Sequence, residues 1–163
     1  MSQSASLQYL AKPFEPRDPA WEFKVRDLFA RTKALALIGA EILHIAPGRC
    51  DLRLPFREDL TQQNGYFHAG ITTTLVDSAA GYAGFSLMPP GSDVLAVEFK
   101  LNLLAPGDGD FLVAEGHVIK PGKNLVITRG EVYALKNTAG GQTITHCASM
   151  QQTLMTMVTT RTN

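Results

Sequence analysis

Two periodicities divide the chain. From Ile71 to Leu87 the apolar residues recur at helical spacing, and Ile71, Leu75, Val76, Ala79, Ala80, Tyr82, Ala83 and Leu87 fall on one broad face. A narrow face of Gly70, Thr73, Thr74, Asp77, Gly81 and Gly84 lies opposite. Downstream the period becomes two. Val94–Leu104 sets Leu95, Val97, Phe99, Leu101 and Leu103 against Ala96, Glu98, Lys100 and Asn102. Asp110–Lys120, Leu125–Leu135 and Gln142–Leu154 read as further strands, parted by Gly- and Pro-bearing or Asn-bearing turns. Upstream, residues 34–45 and 49–55 flank Ala46-Pro47-Gly48 and predict a β-hairpin. Asp18 to about Lys33 predicts a helix with Asp18 as N-cap and Pro19 at its first position. Residues 1–18 read as a flexible arm. The long helix opens from a turn carrying Gln62, Asn64, Gly65 and His68, and stops at Pro89-Pro90-Gly91.

The order is helix, two strands, one long helix, four strands. It predicts an α+β fold in which an antiparallel sheet wraps around the long helix, since a solvated helix would show a charged face and this one has none. The expected organisation is an N-terminal arm and helix over 1–33, one domain over 34–158 and a tail over 159–163.

Composition narrows the function classes. Fifteen basic and fifteen acidic residues balance, with no basic cluster, so nucleic-acid or membrane-surface binding has no electrostatic support. Cys50 and Cys147 are isolated and suggest a reducing compartment. No stretch has the length of a signal peptide core or a membrane span, so a cytoplasmic location is expected. Neither metal-ligand spacing nor a phosphate-loop pattern is present, and no cofactor is expected.

The candidate chemistry centres on Asp77, the one charged side chain between His68 and Asp93. Burying a carboxylate in a Gly/Ala-rich helix is costly unless it is bonded or used, and the absence of any Lys, Arg or Glu face argues against a solvated surface helix. The glycines on the same stripe cost roughly 1 kcal/mol each relative to Ala. They mark a close approach, either by a strand or second subunit or by a ligand.

The segment QQNGYFHAG…LVDSAAGYA, with Gln62 six positions before His68 and Asp77 nine after it, resembles the hotdog-fold thioesterases, in particular the PaaI-type acyl-CoA thioesterases. Leu104, Pro106 and Gly107, and later Gly122, Lys123 and Leu125, also match that pattern, and the resemblance spans roughly 39–155. It implies a hotdog fold and hydrolysis of an acyl-CoA thioester, with coenzyme A as part of the substrate. It assigns Asp77 as general base or nucleophile, and the Ala69 N–H, at the positive end of the helix, as oxyanion donor. Gln62 and His68 would orient the carbonyl or the water; the plainer alternatives are a loop hydrogen bond and a helix cap. Asn64, Gly70 and Gly81 are candidate substrate contacts, and Lys123 a candidate for the phosphates of coenzyme A against a merely solvated turn. Two departures stand out: the family's H-G-G is His68-Ala69-Gly70 here, and Ala96 stands where several relatives carry a hydroxyl.

Ala69 and Asp77 are eight residues apart, about 12 Å along a helix. One carbonyl does not span that, so the site is expected to combine Ala69 of one subunit with Asp77 of a second, in a homodimer or homotetramer. Two alternatives remain. A hotdog acyl-CoA hydratase or dehydratase would place a His five residues after the Asp, where this chain has Tyr82. A non-catalytic acyl-CoA-binding hotdog protein would bind without turnover.

Overall fold

The computed structural model describes residues 13–158. In chain order the elements are α1 (Trp21–Arg31), α2 (Lys33–Ile38), β1 (Glu41–Ala46), β2 (Arg49–Pro55), a 3-10 turn (Glu58–Leu60), α3 (Ala69–Phe85), β3 (Ser92–Leu103), β4 (Phe111–Pro121), β5 (Leu125–Thr138) and β6 (Gly141–Val158). The six strands form one antiparallel sheet in the order β1-β2-β4-β5-β6-β3. It curls around α3, the hotdog arrangement.

Why α3 sits so deep follows from two glycines in the sheet. Gly116 on β4 and Gly130 on β5 are register partners. A Cβ on Gly116 would run into the backbone of Ala79 and Ala80, and one on Gly130 into the Val76 side chain. The missing side chains make a notch that seats the helix. Leu52, Leu54, Leu112, Ala114, Val132 and Leu154 then close over Leu75, Val76, Ala79, Ala80 and Ala83, all almost fully buried.

Several sequence expectations are corrected. Residues 34–38 are helical, not the start of a strand: Lys-Ala-Leu-Ala-Leu has high helix propensity, and Gly39 (φ 80°) ends α2 in the left-handed conformation before β1 begins at Glu41. The first helix starts at Trp21 rather than beside Pro19; the Asp18 carboxylate accepts from the Ala20 N–H, and its carbonyl accepts from Trp21. Residues 13–18 are anchored. Phe14 packs against the core over Gly48, Arg17 donates to the Gly122 carbonyl (2.8 Å), and Asp18 is buried beside Lys24 (3.3 Å). Residues 1–12 and the tail 159–163 lie outside the described residues. The central helix ends at Phe85, one turn short of Pro89, because the buried Ser86 hydroxyl accepts from Gly48 N–H and the chain turns there.

The alternation along β3 is broken as well. A bulge between Ala96 and Glu98 shifts the register against β6. Before it, Val94 and Ala96 share the helix side with Leu154; after it, Phe99, Leu101 and Leu103 do, opposite Gln152, Met150 and Ala148. β3 is an edge strand, and Leu95, Val97, Phe99 and Leu103 are 46–56% exposed.

Candidate active site

The polar segment before α3 is shaped by its own side chains. Gln62 Oε1 accepts from the Asn64 N–H, and Gly65 takes φ 82°, turning the chain so that His68 reaches the helix start. His68 is the N-cap. Its Nδ1 accepts from the Gly70 N–H at 2.9 Å, which puts the neutral ring's proton on Nε2. A Cβ on Gly70 would crowd that Nδ1 at 3.2 Å. His68 takes the N–H of Gly70, and the N–H of Ala69 has no acceptor among the described residues. It points from the positive end of a 17-residue helix.

Two turns along, Asp77 projects from α3 toward β6, where the Gln152 amide donates to Oδ1. Gln152 is 1% exposed. Burial pushes the Asp77 carboxyl above the usual carboxylate range, while the Gln152 hydrogen bond pulls it partly back. No cation pairs with Asp77 among the described residues.

A cavity of about 220 Å³ opens against Asp77. Its walls are Asp77, Ser78, Gly81 and Tyr82 of α3, Asp93, Val94 and Ala96 of β3, Gln152 and Leu154 of β6, and Leu28 and Thr32 at the end of α1. Gly81 and Gly84 have different jobs. A Cβ on Gly81 meets nothing within 4 Å, whereas one on Gly84 would collide with the Leu154 methyl. The close approach expected from the glycine stripe is thus open space at Gly81 and strand packing at Gly84. At the far wall the Tyr82 hydroxyl donates to Thr32 (2.9 Å), which donates to the Leu28 carbonyl (2.8 Å).

Gln62 and Asn64 line a second cavity of about 420 Å³ with Tyr66 and residues 103–106, beside the start of α3. The two cavities share no wall residue. Lys123 belongs to neither and sits on the exposed β4–β5 turn. His117 and His146 lie on the outer face of the sheet beside Glu115 (3.8 Å) and Glu131 (2.8 Å), away from α3. Within one protomer the fold therefore separates the candidates. Gln62, Asn64, His68, Ala69 and Gly70 cluster at one end, Asp77 and Gly81 stand mid-helix, and Lys123 stands apart. Gln152 went unnoticed in the sequence, although a polar residue in the phase Ala148-Met150-Gln152-Leu154 is the visible signal.

Against this geometry, a thioesterase superfamily model matches residues 64–141, from the turn before α3 into the start of β6. Human acyl-coenzyme A thioesterase 13 is 30% identical over 104 residues, covering 63% of this chain and 71% of that one. The chain belongs to the thioesterase superfamily. It is a thioester hydrolase, and the structures agree. A thioesterase family protein from Silicibacter pomeroyi is 42% identical, with a TM-score of 0.81 over 85% of this chain and 99% of the other. The PaaI protein of E. coli shares the fold at 18% identity, with a TM-score of 0.70 over 83% of this chain and 91% of its own. The family match contains Ala69 and Asp77 of this thioesterase but not Leu28, Thr32 or Gln152, so part of the wall around Asp77 comes from outside the matched segment.

Proposed function

We propose that this thioesterase hydrolyses an acyl-CoA thioester, with Asp77 as the reacting carboxylate and the Ala69 N–H of a second subunit as the oxyanion donor. The observation that carries the reading is a half-buried carboxylate on the wall of a cavity, with no cation paired to it among the described residues. Such a carboxylate is poorly solvated and correspondingly reactive toward a proton or an electrophilic carbonyl. As general base it takes a proton from water while the water oxygen bonds to the carbonyl carbon. Collapse of the oxyanion breaks the C–S bond, and the coenzyme A thiolate leaves and takes up a proton. As nucleophile it attacks the carbonyl carbon, the C–S bond breaks as the coenzyme A thiolate leaves and takes up a proton, and water then opens the acyl-enzyme anhydride to the free acid and the restored carboxylate.

The family resemblance and the named relative support acyl-CoA as the substrate class. The separation of Ala69 from Asp77, about 12 Å along one helix, supports a shared site. So does the edge strand β3, unpaired on one side and apolar at Phe99, Leu103 and neighbouring Leu104. Pairing of β3 with β3 of a second copy joins the two sheets. The acyl group would sit against Gly81, walled by Leu28 and Thr32, while Gln62, Asn64, His68 and Gly70 would line the approach of the thioester. Lys123 is the remaining candidate for the coenzyme A phosphates.

Thiol release from a panel of aryl-, short- and medium-chain acyl-CoAs tests the reading. Turnover of at least one ester, with a loss of about 10²-fold or more in Asp77→Ala, is the expected result. Saturable binding without turnover would replace hydrolysis by a binding role.

A further inference from the structure

We propose that Gln152, itself held by Thr128, is the positioning residue for Asp77: its amide secures Oδ1 and leaves Oδ2 as the oxygen that reacts. The inference rests on Asp77 being the reacting carboxylate.

The geometry is a two-step relay from the sheet to the helix. Gln152 lies in β6, laddered to β5 on one side and to β3 on the other, so its backbone is among the most constrained in the fold. The inner face of β6 is apolar on either side of it, at Met150 and Leu154. A buried amide in that setting needs partners for both ends. Its Nε2 meets Asp77 Oδ1, and its Oε1 lies 3.4 Å from the hydroxyl of Thr128, its register partner on β5, which is fully buried. Asp77 fixes which way the amide faces: an ionised carboxylate only accepts, so the NH₂ end must point at it, and the Oε1 end then faces the Thr128 hydroxyl, which also lies 3.5 Å from the Gln152 backbone carbonyl.

The consequence for the chemistry is a division of labour between the two carboxylate oxygens. Oδ1 is occupied by a donor that strengthens as charge sits on the carboxylate, so the relay favours the ionised form that a base or nucleophile needs. The cavity wall facing Asp77 brings two other titratable groups, Tyr82 from α3 and Asp93 from β3, and neither is a cation. Leu28 and Thr32 from α1 bring none. Gln152 is therefore the hydrogen-bond donor on this wall that favours the ionised form of Asp77.

The test is the pH dependence of thiol release by wild type, Gln152→Leu, Gln152→Glu, Thr128→Val and the Gln152→Leu/Thr128→Val double variant, with Asp77→Asn as reference. Gln152→Leu is expected to lower kcat about tenfold, to change KM by less than about twofold, and to move the acid limb up by about one pH unit, since a donor to the charged form is lost. Gln152→Glu should move the limb further, because two neighbouring carboxylates hold a shared proton. Thr128→Val should move it in the same direction by less, and the double variant should be no worse than Gln152→Leu. If Gln152→Leu fails to fold, Thr128→Val, near-isosteric, decides alone. An inactive Asp77→Asn with an unmoved acid limb in the folded relay variants overturns this inference only. Full activity in Asp77→Asn overturns the site reading and this inference with it.

Discussion

Gly81 and Gly84 sit three residues apart on one helix, and the same substitution should have opposite outcomes at the two positions. In both, Gly→Ala adds about 1 kcal/mol of helix propensity. At Gly81 the new methyl meets nothing within 4 Å, so the gain stands, and Tm should rise by roughly 2–4 °C for a chain of this size. At Gly84 the methyl would overlap the Leu154 side chain, with Thr128 and Val126 closing the other sides at 3.4 and 3.5 Å. Leu154 is 1% exposed and can retreat only toward the cavity it lines. Overpacking of this kind costs about 1–3 kcal/mol, leaving Gly84→Ala between neutral and about 2 kcal/mol less stable. Differential scanning fluorimetry reads both. The functional difference runs through the cavity: the Gly81→Ala methyl occupies space beside Asp77, so kcat/KM should fall about tenfold or more for the bulkiest acyl group accepted, relative to the smallest. A lower Tm for Gly81→Ala would mean that the space is filled in the assembled protein. An unchanged acyl-group profile would mean that the acyl chain goes elsewhere.

Three other outcomes are expected. Ala69→Pro removes the proposed oxyanion N–H at the first helical position, where proline fits and where His68, at φ −64° and ψ 139°, already has the conformation a residue before proline adopts; kcat should drop about 10²–10³-fold with the circular dichroism spectrum unchanged. Asp77→Asn should stabilise the fold at neutral pH. The folded-state carboxyl titrates above its unfolded value, so its ionisation opposes folding above that window, and the gain in Tm should fade as the pH falls through the window to below the unfolded value. A charge on the β3 edge, as in Leu103→Glu, should convert the proposed dimer to monomer by light scattering and abolish turnover; an active monomer would remove the need for a shared site.

How much of the fold was legible depends on which physical signal each element carries. The central helix announces itself because its apolar face is too broad for a solvated helix, and the sheet because its strands alternate over ten or more residues. The misread segments are those where local signals conflict. Residues 34–38 are apolar and short, a pattern that suits either element, and the deciding feature is Gly39 at positive φ, which only the structure supplies. The β3 bulge is invisible in the sequence: Leu95 to Leu103 keeps a perfect period of two while the backbone moves it from one face to the other. The apparent single face of five hydrophobics is two half-faces, and all but the partly buried Leu101 are exposed in the protomer.

The candidate site was legible in the part that lies on one continuous segment and not in the part assembled by the sheet. His68 and Asp77 share a helix, so their spacing survives as a pattern. Leu28, Thr32 and Gln152 reach Asp77 from α1 and β6, separations of 49, 45 and 75 positions, and no local spacing encodes such a meeting. Yet Gln152 is the residue that makes the placement of Asp77 chemically intelligible. A half-buried carboxylate with no cation has only two ways to remain charged, water or a donor from the protein. The cavity can admit the first, but an acyl group seated against Gly81, as proposed, would displace it at the moment charge is needed. On the proposed reading the Gln152 amide, buried and in contact with Thr128, stays when water leaves, which would account for a polar residue at an inward position of the sheet that packing alone would give to a Leu or Met.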